Sequence, residues 1–482
     1  MLPPLYPHQS AAIDRALLHD GSLALYHDPG LGKTRTCLEL FLHLRTKTPT
    51  LRLLVLCPLS ILEPAWGEDV RKFTSLTWAN LRRTDEVADV NGLNYEAAIR
   101  SQRRLVPLFE TPLMLVLDES SRLRDPRSLT TKTCLALSER ARYRLVLSGT
   151  PASNGLHELW AQMKVVEPQA VHHSFYAWRR EYFHLARGKA TMAALPPDRH
   201  AMQQLFRSGW QWSITCANQD RLLARLSSVC HWVKKADALE LPAKTFTRRD
   251  VILSELEWRA YESMRKQLLV EFEHETITAE LALTKLLRLR QLASGFLYGE
   301  QARHHTGGSR LAVLQETLEE LGDQSVIIWC QFQEEIEQVA GILGEQAMTL
   351  YGKTKDREES LRRFGDSARY LVAHPRSAGH GLTLTQASTC VWYSLDWSLE
   401  AWSQANDRIH RIGQMQPCLY VHLMATGPQG QETIDERMWE VLQQKRTLQE
   451  AIDAVLGGRA ASSHRDGDQA AVPAGVGVSS LR

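Results

Sequence analysis

The stretch Leu23-Ala24-Leu25-Tyr26-His27-Asp28-Pro29-Gly30-Leu31-Gly32-Lys33-Thr34 constrains this chain more than any other. Leu23 to His27 reads as a buried strand. Pro29, Gly30 and Gly32 then demand a turn, and a helix opens at Lys33. Backbone N–H groups at a helix start, with the helix dipole behind them, hold dense negative charge, and glycines let the backbone come close. The expectation is a phosphate-binding loop made by Asp28, Pro29, Gly30, Leu31, Gly32, Lys33, Thr34 and Arg35. Lys33 reaches the β- and γ-phosphates, and the Thr34 hydroxyl holds Mg²⁺. One departure stands out: His27 occupies the place of the first glycine in the usual pattern.

At 482 residues the chain exceeds one hydrophobic core and predicts two or three domains. A net charge of +2 offers no global field, so a nucleic-acid partner has to be met by a local groove. The eight cysteines contain no CxxC pair, and Cys57 and Cys330 lie in apolar runs, which fits reduced buried thiols. The N-terminus lacks a basic segment followed by an apolar one, and no apolar run approaches the roughly 18 residues of a membrane span. A soluble, cytoplasmic, monomeric protein with no membrane contact is the expectation.

In chain order, Leu5-Tyr6-Pro7-His8-Gln9 precedes an amphipathic stretch, Ala11 to Leu18. Pro7 suits a first helical turn, and Gln9 offers an amide to an adenine edge. Leu53 to Pro58, Leu113 to Glu119 and Arg144 to Pro151 contain short apolar runs that read as parallel strands buried on both faces. In such sheets ligands bind beyond the carboxyl ends of the strands. The phosphate loop, Asp118/Glu119 and Ser148/Gly149/Thr150 all fall there. A carboxylate pair at the tip of an apolar strand is costly without a cation. Asp118 is assigned to Mg²⁺, and Glu119 to orienting the attacking water.

From about 165 to 217 the strand pattern lapses into aromatic and basic residues, read as a helical insertion on the first domain, with a DNA-contacting protrusion as the rival. Lys234-Lys235 and Leu241-Pro242 read as the linker. Leu256 to Leu297 is helical in character, with a basic run, Lys285 to Arg290. A second set of apolar strands follows at Val326–Cys330, Tyr370–Ala373, Cys390–Tyr393 and Leu419–Leu423. This second domain has no phosphate loop, yet it can supply residues across a cleft. Arg408 and Arg411 are three apart and share a helix face. Two guanidiniums aimed at one cleft suit a developing phosphoryl charge. The His172-His173 and His304-His305 pairs read as surface histidines.

The ordered set LYPHQ, DPGLGKT, VLCPLS with Trp66, DESS, LSGTPASN, VIIWCQF, SAGHGLTLTQA and QANDRIHRIGQ resembles the helicase motif series of superfamily two. Within it the chain is similar to Swi/Snf-type DNA translocases, in particular the short bacterial and phage forms. The resemblance covers about residues 5 to 445. It implies an α/β fold with two tandem RecA-like parallel-sheet lobes, helical insertions and an ATP cleft between the lobes. The first lobe spans 1–240 and the second 241–456, with a helical protrusion at about 255–300, a brace helix at 433–448 and a disordered tail at 457–482. It also implies roles for residues. Lys33, Glu119, Arg408 and Arg411 are catalytic; Gln9, Asp118 and Gly381 join the nucleotide site; Ser148, Gly149, Thr150 and Gln404 couple hydrolysis to lobe movement. Ser60, Arg288, Arg290, Thr383 and Thr385 are candidates for DNA backbone contacts. The family often has His where this chain has Ser121, linking the ATP site to the SGT motif, and His380 replaces a common glycine. Coupling is therefore expected to run differently here.

The function these observations predict is a Mg²⁺–ATP-driven motor on double-stranded DNA. Two alternatives stay open: a strand-separating or annealing helicase acting on single-stranded or forked DNA, and an ATP-switched DNA-binding subunit of a restriction or defence complex.

Overall fold

The structure, a computed structural model, describes residues 3–153, 155–187, 210–214, 216–273, 279–299, 303–377 and 382–446. Its first half is built on strands β1 (Leu23–His27), β2 (Arg52–Cys57), β3 (Trp78–Asn80), β4 (Val90–Asn94), β5 (Leu113–Asp118) and β6 (Tyr143–Leu147). Strands β7 (Phe183–Arg187) and β8 (Trp210–Ile214) pair antiparallel as a separate ribbon, and β9 (Cys230–Val233) returns to the main sheet. That sheet is parallel throughout, in the order β3-β4-β2-β5-β6-β1-β9. Successive side chains of a strand face opposite ways. Leu54, Leu56, Leu115 and Leu117 pack on one side of the sheet, and Leu53, Val55, Met114 and Val116 on the other. Each such fully buried side chain stabilises the lobe by about 1.5–3 kcal/mol, which is why these runs carry almost no polar residue.

The second half repeats the plan. β10 (Lys244–Ile252), a hairpin of β11 (Phe296–Tyr298) and β12 (Arg303–His305), and then β13 (Val326–Trp329), β14 (Ala347–Leu350), β15 (Tyr370–Ala373), β16 (Thr389–Trp392) and β17 (Cys418–Thr426) follow in sequence. Its parallel sheet has the order β10-β17-β16-β13-β15-β14. The expected fold class, two parallel-sheet α/β lobes with helices on their faces, is what the chain adopts.

Several elements depart from expectation. The 165–217 segment is not purely helical: the helix Phe175–Tyr182 leads into the β7/β8 ribbon. The helices Glu255–Glu273 and Ala279–Ala293 form as read, but the β11/β12 hairpin follows them. Strands β3, β4, β9, β10 and β14 were not anticipated. In β4 the polar Asn91 is buried, and its side chain is satisfied by Leu53 O at 3.2 Å and Ala88 O at 2.8 Å. β10 is an edge strand with charged residues facing out, such as Arg248 paired with Glu436. Residues 434–446 are helical; 447–448 of the predicted brace helix, and the tail, lie outside the described residues. Among the described residues no helix is long and apolar enough to cross a membrane.

Candidate active site

β1 delivers its last residue, His27, into the core rather than into the loop. His27 is fully buried, and its Nε2 lies 2.8 Å from Nδ1 of His231 on the neighbouring strand β9. The departure from glycine is thus a strand-to-strand contact. The chain then turns through Gly30 (φ 89°) and Gly32 (φ 71°), both in the left-handed region. Helix α1 (Pro7–Leu18) brings Gln9 against this turn. A Cβ on Gly32 would stand 2.3 Å from Gln9 Nε2. The Gln9 amide donates to Leu31 O at 3.4 Å and Gly32 O at 3.3 Å, and its oxygen accepts from Tyr6 N at 2.9 Å. In this structure Gln9 braces the loop, where the sequence reading had it facing an adenine edge.

Helix α2 (Lys33–Lys47) opens directly after Gly32. The Lys33 ammonium folds back on the loop, donating to His27 O at 2.7 Å and Asp28 O at 3.4 Å. Arg35 is directed elsewhere: it pairs with Glu39 and stacks 4.3 Å over the Phe73 ring, so the structure does not place it on the loop. Asp28 ties the loop to the chain after β9, accepting Lys235 N at 2.8 Å.

The two carboxylates sit at the tip of β5. Asp118 Oδ2 accepts the Trp66 indole N–H at 2.9 Å, and Oδ1 accepts Glu119 N at 2.9 Å. Trp66 is carried by a π-helical turn, Leu62–Gly67, a local irregularity that aims it at Asp118. Glu119 has φ 53° and ψ 52°, uncommon for a residue with a Cβ. Burial pushes both carboxyls above their ordinary values. Asp118 and Glu400 add to the rise at Glu119, while Lys33 and Arg408 oppose it. Beyond β6, Ser148 Oγ accepts Thr150 N at 3.1 Å, and the buried Thr150 Oγ1 has no hydrogen-bond partner among the described residues.

The second lobe contributes the far wall. Its helix Leu399–Asn406 is fixed to the sheet at Asn406, whose side-chain oxygen accepts Trp392 Nε1 at 2.9 Å and whose carbonyl accepts Tyr420 OH at 2.9 Å. Asp407 takes two ammonium groups, Lys235 at 2.9 Å and Lys244 at 3.0 Å. Although buried, its carboxyl is held far below the usual range by these two cations. Lys235 also donates to His410 O at 3.1 Å. Arg408 is buried, with Nη1 on Leu382 O at 3.2 Å and its Nε without a partner among the described residues. Arg411 donates from Nε to Asp407 O at 3.0 Å. Its stem passes over the phosphate loop, 3.6 Å from where a Cβ on Gly30 would be. Beside this junction lies an interlobe cavity of about 740 Å³, lined by Asp28, Pro29, Thr150, Lys235, Asp407 and His410 among others.

The structure therefore gathers Gln9, Asp28, Pro29, Gly30, Leu31, Gly32, Lys33, Asp118, Glu119, Ser148, Gly149, Thr150, Arg408 and Arg411 around one junction, and Thr34 opens α2 beside them. Gln404 is half-buried on the Leu399–Asn406 helix. Among the expected DNA contacts, Ser60 and Thr383 are exposed, and Thr385 and Arg288 half-exposed. Arg290 is turned inward, onto Leu395 O at 2.9 Å, Asp396 at 3.6 Å and the Phe332 ring, which argues against a role on an outer groove. Gly381 and His380 lie outside the described residues. Sequence reasoning gave no role to Lys235, Asp407, Glu400 or Gln162. Lys235 was read as linker, although a buried lysine requires a partner.

The SNF2-related domain family matches residues 18–295, and the helicase conserved C-terminal domain matches 309–413. The chain belongs to the SNF2-related family of helicase-like ATPases. Protein p41 of Acyrthosiphon pisum secondary endosymbiont phage 1 is 25% identical over 465 residues, covering 88% of this chain and 92% of that one. A Xenopus tropicalis SWI/SNF-related matrix-associated actin-dependent regulator of chromatin subfamily A-like protein 1 is 24% identical over 466 residues and 92% of this chain. This SNF2-related chain spans only 44% of that frog protein's length. A solved Sulfolobus solfataricus SWI2/SNF2 ATPase core in complex with dsDNA is similar over 95% of this chain and 94% of that one, at 23% identity and a TM-score of 0.42.

Proposed function

We propose that this SNF2-related ATPase is a motor that couples Mg–ATP hydrolysis to movement along double-stranded DNA. The observation that carries the reading is the split site: Lys33, Asp118 and Glu119 stand on one lobe, and Arg408 and Arg411 reach them from the other. The residues present fit a nucleotide. Two left-handed glycines bring the backbone close at a helix start, and the buried Arg408 has an Nε–H with no partner among the described residues. Thr34 and Asp118 would hold Mg²⁺, which supplies charge neutralisation between the β- and γ-phosphates.

In this reading the loop binds the phosphate chain through backbone N–H groups, and Lys33 exchanges its loop carbonyls for phosphate oxygens. Glu119, turned out of the strand end by its left-handed backbone, orients the attacking water. Arg411 and Arg408 stabilise the charge that develops on the transferred group. Hydrolysis needs both lobes together, so a ligand that bridges them raises the rate. A DNA backbone is such a ligand, contacted without base readout through residues such as Ser60, Thr383, Thr385 and Arg288. The choice of duplex rests on membership of the SNF2-related family.

The test is ATP turnover with no nucleic acid, single-stranded DNA, duplex DNA and RNA, each over a salt series. Duplex is expected to stimulate most, and stimulation to weaken as salt rises. Equal stimulation by single strands would sink the duplex reading, and no response to any nucleic acid would sink the motor.

A further inference from the structure

Two serine side chains just after Glu119 make hydrogen bonds of different reach. Ser120 Oγ donates to Gln162 Oε1 at 2.8 Å. Gln162, fully buried on the helix Leu159–Val166, also accepts Tyr26 OH at 3.1 Å and donates to Pro151 O at 2.9 Å. One amide thus joins the strand before the phosphate loop, the carboxylate turn and the chain after Ser148-Gly149-Thr150. That is an internal link between the carboxylates and the SGT turn, made without the residue at 121. The next residue, Ser121, is also buried, and it points the other way. Its hydroxyl donates to Glu400 Oε1 at 3.2 Å, a residue 279 positions on and in the other lobe.

Glu400 stands in the first turn of the Leu399–Asn406 helix, whose end leads straight to Arg408 and Arg411. Glu400 and Gln404 are one turn apart and share a face. The helix is pinned at its start by Ser398, which caps Ala401 N at 3.2 Å, and at its end by Trp392 and Tyr420 on Asn406. A displacement at Glu400 is therefore passed along a rigid element to the arginines. Glu400 also lies close enough to Glu119 to add to the rise in its carboxyl, and the Ser121 hydroxyl fixes where the Glu400 side chain sits.

We propose that Glu400 is a positioning residue: through Ser121 it docks the second lobe on the carboxylate turn and sets the register of Arg408 and Arg411 against Glu119. This rests on the ATPase mechanism proposed above. Neither residue touches the phosphate loop, so the contact acts on the rate of the chemical step and not on nucleotide affinity.

The experiment measures kcat and KM for ATP in the full chain and in S121A, E400A, the S121A/E400A double variant and E400Q. Each alanine variant is expected to lower kcat about tenfold, the effect of one charge-assisted hydrogen bond, with KM unchanged. The double variant should be no worse than either single one. E400Q keeps an acceptor oxygen and should recover most of the rate. Unchanged kcat, additive losses, or a raised KM at wild-type kcat would each overturn the proposal. A second arm needs no turnover: with cysteines at 121 and 400, a short bifunctional thiol reagent should cross-link the lobes, dependent on both cysteines. Absence of the cross-link overturns the contact whatever the activity. Turnover that survives Lys33→Ala would instead sink the ATPase mechanism and leave the cross-link to decide the contact.

Discussion

Two strand-to-helix turns, one in each lobe, solve the same electrostatic problem in opposite ways. At the turn from β1 into α2 the backbone passes through two left-handed glycines, and the helix start faces the junction with Arg411. At the turn from β13 into the helix Gln333–Leu343, the positive end is filled from within the chain. The buried Glu335 Oε2 accepts Gln331 N at 2.8 Å, Phe332 N at 3.1 Å and Ser394 Oγ at 2.6 Å. An internal carboxylate there occupies the kind of position that an external phosphate would take at a helix N-terminus. Two lobes of like architecture thus differ in one capacity. The first carries two left-handed glycines at an open helix start, while the second closes the corresponding start with its own carboxylate.

The comparison breaks most completely at Lys33. Lys33→Ala removes the ammonium assigned to the β- and γ-phosphates, and ATP turnover should fall to background with thermal unfolding unchanged. Near-normal hydrolysis would take this loop out of the mechanism. Next is the arginine supplied by the other lobe. An arginine finger is worth about 10³–10⁵ in kcat. Arg411→Ala should therefore cost at least ~10²-fold in kcat with ATP affinity little changed. Should affinity collapse while kcat survives, Arg411 only binds the ground state.

The self-capped turn predicts a stability effect in place of a rate effect. Glu335→Ala strips three hydrogen bonds from one buried oxygen: Gln331 N keeps Ser394 Oγ at 3.0 Å, while Phe332 N and the buried Ser394 hydroxyl lose this acceptor. It should destabilise the second lobe by about 3 kcal/mol in denaturant unfolding while the ATP binding proposed for the first lobe is retained. Loss of ATP binding together with stability would mean that the two turns are not independent.

How much of this was legible depends on what each residue has to satisfy. β1, β2, β5 and β6 were readable because a strand buried on both faces excludes polar residues. β4 was not, because Asn91 meets its hydrogen-bond needs from the adjacent backbone and so breaks the apolar pattern. The glycine turn into α2 was readable because a close phosphate approach demands those residue types at that spacing, whereas the arginine pair, expected on one helix face, lies in the turn after a helix that ends at Asn406. Lys235, Asp407 and Lys244 were not, since a lysine after a strand and a lysine after a proline look solvated until the fold brings one aspartate between them. Ser121 was noticed only as a departure. Its partner, Glu400, lies in the other lobe, and no local pattern links the two.

His27 sharpens the contrast at the open turn, with the smallest expected effect. It and His231 are neutral neighbours on adjacent strands, one ring donating to the other. Burial holds both down, His27 well below the ordinary value and His231 at about 4, and neighbouring groups add to this: His231 and Lys33 at His27, Arg15 at His231. The unfolded chain takes up protons as pH falls through about 6.5, whereas the native pair resists until near the lower values. Their contribution to stability is therefore complete above pH 6.5 and is lost as pH falls toward 4. A second proton would also set two N–H donors against each other next to the loop. His231→Gln keeps a hydrogen-bonding partner for His27 and does not titrate. Between pH 7 and 5, wild type should lose about 2 kcal/mol more than this variant, read from denaturant midpoints at each pH so that carboxylates common to both cancel. Parallel pH profiles for the two proteins would show that the histidine pair is not a neutral contact, and that the missing first glycine has another cause.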